Sequence, residues 1–137
     1  MVIWNLKSVL LKASCSIFYS QYFPFYSYMC RLFAYIATEP HPLTSHFLKT
    51  HKSLLQQANK NPDGWGIVYF AADGTRHFEK ENKSAQESER FFELARGLNT
   101  RLVIAHIRYA TVGKMAPENA HPFIYDKWAF VHNGTVQ

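Results

Sequence analysis

Cys30 follows a methionine in the stretch SYMCRLFAY, well inside a chain of 137 residues. A thiol attacks a carbonyl only as the thiolate, so it needs a base or a positive neighbour. A cysteine at a mature N-terminus carries its own base, because an α-amine titrates at about 7.7–8.0 and is partly neutral near pH 7. Initiator methionine is readily removed before a residue as small as cysteine, so Met29-Cys30 is the arrangement this chemistry requires. On the local sequence alone, a buried strand cysteine acting as a small hydrophobe is the preferred reading.

Three other groups of residues have chemistry to offer. Arg108 ends the apolar run RLVIAHIRYA, where its planar fork suits a carboxylate held bidentately, with Thr111 and the Gly113 region adding a hydroxyl and backbone donors. Taken alone, a salt bridge to Glu118 or Asp126 explains Arg108 better. Gly64 and Gly66 flank Trp65 in NPDGWG and let a backbone approach closely, while His121 before Pro122 is held extended. The plainer readings are a turn with a packing tryptophan and a loop histidine. In FVHNGTV the Asn133 amide and the Gly134 N–H could converge on a developing oxyanion, although Asn-Gly is also the strongest short hairpin signal.

The remaining histidines are weaker candidates. His106 alternates with Arg108 and shares its face of the strand, beside any pocket there. His41, His46 and His51 are five apart and do not align for a metal, and HExxH, P-loop and Rossmann patterns are absent from the sequence.

The elements that must position these residues follow from the patterning. CRLFAYIA reads as a buried strand stopped by the prolines of TEPHP, and Ser45 to Ala58 as a helix. WGIVYF and RHFEK flank Asp73-Gly74 as a hairpin. Ser84 with Glu87 makes a capping-box pattern, and Phe91, Leu94, Ala95 and Leu98 recur at helical spacing to an end near Gly97 and Asn99. RLVIAHIRYA is a strand, TVGKMAPENAHP a loop and WAFVH a further strand. The order strand, helix, hairpin, helix, strand, loop, strand calls for sheet covered by helices. The strand before Asn133-Gly134 has no returning partner in the sequence, which reads as a fragment.

Composition is ordinary for one domain, 47% apolar and 18% charged. Of the net charge of +5, residues 1–29 supply Lys7 and Lys12 without an acid; the 13 other basic residues are scattered among 10 acidic ones, which argues against nucleic acid. Residues 1–29 also hold 8 of the 22 aromatics. Lys12 interrupts any signal-peptide core, and the run from Ala13 to Cys30 is too polar for a good membrane span. This segment reads first as translated upstream sequence or a misplaced start, then as a removed propeptide or a targeting segment. Two cysteines without a CxxC suit a reducing cytosol.

Five motifs occur in order: Met29-Cys30-Arg31-Leu32-Phe33, Asp63-Gly64-Trp65-Gly66-Ile67, Ala105 to Thr111, Glu118 to Phe123, and His132-Asn133-Gly134. Together they resemble the class II glutamine amidotransferases, N-terminal-nucleophile enzymes, and most of all the small stand-alone branch that includes γ-glutamyl amidases of the ergothioneine pathway. The resemblance implies an α+β, N-terminal-nucleophile αββα sandwich over residues 30–137, incomplete at the C-terminus, with 1–29 as leader. It implies Cys30 as nucleophile with its α-amine as base, and Asn133 and Gly134 as oxyanion hole. Arg108, Thr111 and Tyr109 would hold the substrate, with His121 and Trp65 shaping the pocket. Neither metal nor organic cofactor is implied. The substrate would be glutamine or a γ-glutamyl small molecule, cleaved in the cytoplasm, with ammonia passed to a synthase partner in some relatives. Two departures stand out: the leader leaves Cys30 without a free amine, and the family's downstream acidic residue for the substrate's α-amino group is missing. The alternatives are an inactive fragment or pseudoenzyme of the same family, and a membrane-associated binding domain using the aromatic leader.

Overall fold

The alternation of apolar residues along three strands decides the architecture. The computed structural model describes residues 2–5, 15–19, 29–111, 113, 114 and 116–133, the first two stretches by backbone alone. Eight strands are described: β1 (Val2–Asn5), β2 (Cys15–Tyr19), β3 (Arg31–Pro42), β4 (Trp65–Phe70), β5 (Arg76–Glu81), β6 (Asn99–Ile107), β7 (Phe123–Tyr125) and β8 (Trp128–Val131). Two helices, α1 (Leu54–Ala58) and α2 (Glu89–Gly97), join them. The strands form two antiparallel sheets, ordered β2-β3-β6-β4-β5 and β1-β8-β7.

Each central strand is buried on both faces. Phe33 and Tyr35 of β3, Trp65 and Ile67 of β4, and Val103, Ala105 and Ile107 of β6 pack with Phe47, Leu54, Phe91 and Leu94 on the helical side. Leu32, Val68 and Ile104, one residue out of phase, meet Ala129 and Val131 of β8. The described layers are therefore helices, five-stranded sheet and three-stranded sheet. A mixed α and β chain was expected, and it is found; a second helical layer is not among the described residues. At about 2–3 kcal/mol for each fully buried large side chain, the helix-side aromatics are a principal source of stability. Phe33, Phe47, Phe91 and Trp65 form a chain of ring contacts with centroids 5.4–6.0 Å apart.

Several local expectations are corrected. β3 continues through Pro40 and Pro42, with its register to β6 shifting between Ile36 and His41. The β2 pairing ends at Ala37, so beyond it the prolines lie where one side of the strand needs no donor. The helix expected over Ser45–Ala58 is two pieces, a π turn at Ser45–Lys49 and α1. Thr50 turns extended, and the Ser53 side chain caps α1 by accepting from the Gln56 N–H at 3.3 Å. α2 starts four residues later than expected: Ser88, not Ser84, accepts from the Phe91 N–H, at 2.9 Å. Ser84 instead closes a turn, its carbonyl accepting from Glu87. The Asp73-Gly74 hairpin forms as expected, with Gly74 at φ 82°. β7, to which the patterning assigns no element, is a short strand returned to β8 by a turn in which Asp126 takes φ 47°.

Candidate active site

Strand register brings three segments of the sequence into one row. In the antiparallel ladders Arg31 lies opposite Ile107, and Ile107 opposite Trp65. One residue further along, Cys30, Arg108 and Gly64 fall side by side at the end of the sheet. The Arg108 N–H donates to the Gly64 carbonyl at 2.8 Å, which fixes that side of the row. On the other side the Cys30 thiol donates to the Tyr109 carbonyl at 3.4 Å and accepts from the Tyr109 N–H at 3.3 Å. The loop before β4 ties in as well, because Asp63 accepts from the Ala110 N–H through Oδ2 at 2.8 Å.

By strand alternation Cys30, His106 and Arg108 share the face that looks toward the smaller sheet. Arg108 is only 6% exposed. Its Nη2 lies 3.8 Å from where a β-carbon on Gly113 would stand, an ordinary contact distance, and Gly113 itself takes φ 84°. Burial raises the Cys30 thiol pKa above its ordinary value, while the Tyr109 N–H and the Arg108 charge act in the opposite direction. The two opposing groups are the ones that would favour a thiolate once desolvation is relieved.

Gly66, opposite His106, has a separate task. A β-carbon there would stand 2.1 Å from the His121 carbonyl oxygen, so only glycine lets the loop before β7 settle onto β4. This is the close backbone approach that the two glycines around Trp65 suggested; at Gly64, with φ 138°, a β-carbon would meet the Glu81 carbonyl at 2.8 Å. His121 then packs between His106 and His132, with ring centroids 4.6 and 4.5 Å away. Burial first, then the neighbouring histidines and Arg108, hold His106 well below the usual histidine range, with the Asn133 side chain acting in the opposite direction. His121 is lowered to about 4 by burial, His132, Lys80 and Arg108. At neutral pH both rings are neutral.

The structure thus brings together Cys30, Arg108 and Tyr109, with Asn133 reaching His106 on the same face. Thr111 is exposed at the bend that follows. Trp65 lies elsewhere: it is fully buried on the helical face, its indole N–H donating to Glu81 at 3.2 Å. Gly134 and most of residues 1–29 lie outside the described residues. Among the described residues no group of three His, Cys, Asp or Glu is disposed to hold a metal, and no helix is long and apolar enough to cross a membrane. Sequence reasoning gave no role to Asn61, whose buried amide donates to the Met29 carbonyl at 2.8 Å. NPDG signals a turn, and nothing local says which distant carbonyl its asparagine meets.

The family model for class II glutamine amidotransferases matches residues 29–137, beginning one residue before Cys30. The chain belongs to the class II glutamine amidotransferases. It is similar to the probable glutamine amidotransferase DUG3 of Saccharomyces cerevisiae, 28% identical over 79% of this chain and 35% of that protein. Gamma-glutamyl-hercynylcysteine sulfoxide hydrolase of Mycolicibacterium smegmatis is 30% identical over 79% of this chain and 52% of its own length. A glutamine–fructose-6-phosphate aminotransferase of Pseudomonas syringae is 40% identical over 55% of this chain and 12% of its own length. The chain spans about half, or less, of each of these amidotransferase relatives.

Proposed function

We propose that this domain cleaves the γ-amide of glutamine or of a γ-glutamyl compound through a thioester on Cys30, in a form whose chain begins at Cys30. The observation that carries the reading is the row itself: a half-buried thiol beside a buried guanidinium, at adjacent strand ends, in a family of amidotransferases. In this reading the freed α-amine takes the Sγ proton, and the thiolate attacks the γ-amide carbon. The oxyanion is met by the Asn133 amide and the Gly134 N–H. The α-ammonium returns its proton to the departing nitrogen as the C–N bond breaks, and ammonia or an amine leaves. Water, deprotonated by the same amine, then opens the thioester and releases glutamate.

Arg108 would hold the substrate's α-carboxylate, with Tyr109 and Thr111 beside it and His121 behind. No metal or organic cofactor enters these steps. Ammonia would pass to a synthase partner, or be released together with glutamate in a purely hydrolytic enzyme. While Met29 is attached, the Cys30 nitrogen is an amide and cannot serve as base.

The test uses the full chain with residues 26–29 replaced by a factor Xa recognition sequence, folded intact and then cut so that Cys30 becomes N-terminal, as checked by intact mass. The cut protein should release glutamate from glutamine or colour from γ-glutamyl-p-nitroanilide, and the uncut protein should not. A cut, folded protein with a free Cys30 and no turnover of either compound would sink the proposal and favour an inactive member of the family.

A further inference from the structure

Asn61 is fully buried, yet only half of its amide is used. Nδ2 donates to the Met29 carbonyl at 2.8 Å, while Oδ1 is buried without a hydrogen-bond partner among the described residues. The orientation is fixed by chemistry, because a carbonyl oxygen accepts only and the atom facing it must be nitrogen. Leaving an acceptor such as Oδ1 unpaired costs about 1–3 kcal/mol, so a buried amide in this state calls for a reason. The Arg31 guanidinium donates to the same Met29 carbonyl from the exposed side.

Asn61 sits where it does because it is clamped on both flanks. Its own N–H closes the end of α1 on the Ala58 carbonyl at 3.1 Å, and Asp63, two residues on, is bonded to the backbone of Arg108 and Ala110. The amide is therefore held against the Met29–Cys30 peptide bond by the same segment that borders the Cys30–Arg108 row.

We infer that Asn61 is the positioning residue for the α-amine of Cys30, an inference that rests on the proposed working form beginning at Cys30. When the bond between Met29 and Cys30 is broken, the acceptor in front of Asn61 disappears and a donor, the amine N–H, takes its place. A half-turn of the carboxamide brings Oδ1 to face it, and the only hydrogen bond given up is the one that cleavage has already removed. With one amine N–H accepted by Oδ1, the nitrogen lone pair is left to turn toward Sγ, the direction in which it must take the thiol proton. The same side chain thus serves two states, carbonyl before scission and amine after it.

The experiment reads iodoacetamide alkylation of Cys30 against pH in the full chain cut with factor Xa, the labelled peptide being separated by mass from that of Cys15, together with kcat and KM for glutamine. The cut wild type should show a limb in the alkylation profile near pH 7–8 from the α-amine, and the uncut chain should lack it. Asn61→Asp, nearly isosteric, should move that limb up by about one pH unit, because a carboxylate favours the ammonium form. Asn61→Ala should lower kcat about tenfold or more with KM changed less than about threefold. If both variants, cut and folded, give the wild-type profile and a kcat within twofold of wild type, the inference is overturned; a cut wild type without the limb overturns it too. A limb that moves in Asn61→Asp while the cut wild type turns over no glutamine would uphold the positioning role and reject the proposed activity. Should Asn61→Ala fail to fold, the Asn61→Asp profile decides alone.

Discussion

The Cys30 thiol and the Tyr109 backbone meet twice, Sγ donating to the carbonyl at 3.4 Å and accepting from the N–H at 3.3 Å. Neither contact depends on the identity of residue 109, so the thiol is placed by strand register and not by a partner side chain. The N–H favours the thiolate and the carbonyl favours the thiol. With burial acting on the same side as the carbonyl, the uncut chain holds Cys30 protonated. In the uncut protein Cys30 is expected to react with iodoacetamide more slowly than free cysteine at pH 8, and to speed up only in more alkaline solution. A thiol already as reactive as free cysteine at pH 8 would contradict this account.

Arg108→Lys keeps a positive charge but gives up the planar fork. In the cut protein it is expected to lower kcat/KM for glutamine by ~10²-fold, chiefly through KM, since binding of the α-carboxylate is common to ground and transition states. A loss confined to kcat would assign Arg108 a different task.

Gly66→Ala puts a β-carbon 2.1 Å from the His121 carbonyl, against backbone that cannot yield without moving the whole loop. A loss of about 3 kcal/mol or more is expected in denaturant unfolding, with the midpoint falling accordingly. Gly97→Ala, where a β-carbon meets nothing within 4 Å, serves as the control and should be neutral or slightly stabilising.

Ser88→Ala removes the hydroxyl that caps α2 and should cost about 1 kcal/mol, whereas Ser84→Ala should cost less, about 0.5 kcal/mol or below. Equal losses, or the reverse order, would move the start of α2 back to Ser84.

The pH dependence of stability follows from His106 and His121. Both have pKa values lowered in the folded protein, so below the unfolded value of about 6.5 the unfolded chain binds protons that the folded chain refuses. Stability should be fully present above pH 7 and decline as the pH falls from about 6.5 toward 4, by on the order of 2–3 kcal/mol from His121 alone. Urea melts at pH 7 and pH 4.5 check the sign, and His121→Phe should flatten the decline.

Much of the fold was legible where both faces of a strand are covered, because β3, β4 and β6 then read as continuous apolar runs. The helix spacing of Phe91, Leu94 and Ala95 was equally plain, since one face alone is buried. What failed was local choice between similar signals. Two serines four apart could each cap α2, and the one that wins is the one that also donates to Glu81. β7 escaped because three residues are too few to show a period, and its turn uses Asp126 where a glycine would have announced it. At the site, Cys30 and Arg108 are 78 positions apart, and each looked ordinary alone; five ordered motifs made them a pair. Asn61 had no such help, because its meaning depends on a carbonyl 32 residues earlier.

Residues 2–5 and 15–19 give the two sheets a rim each, β1 along β8 and β2 along β3. Where those segments part from the domain, β3 and β8 each present a row of unpaired N–H and C=O groups along one side, the pattern on which strands of separate molecules zip together. Scission before Cys30 would thus free an amine and at the same time put colloidal stability at risk. The two demands meet at one peptide bond, and both are satisfied only if the severed strands stay seated or another strand takes their place.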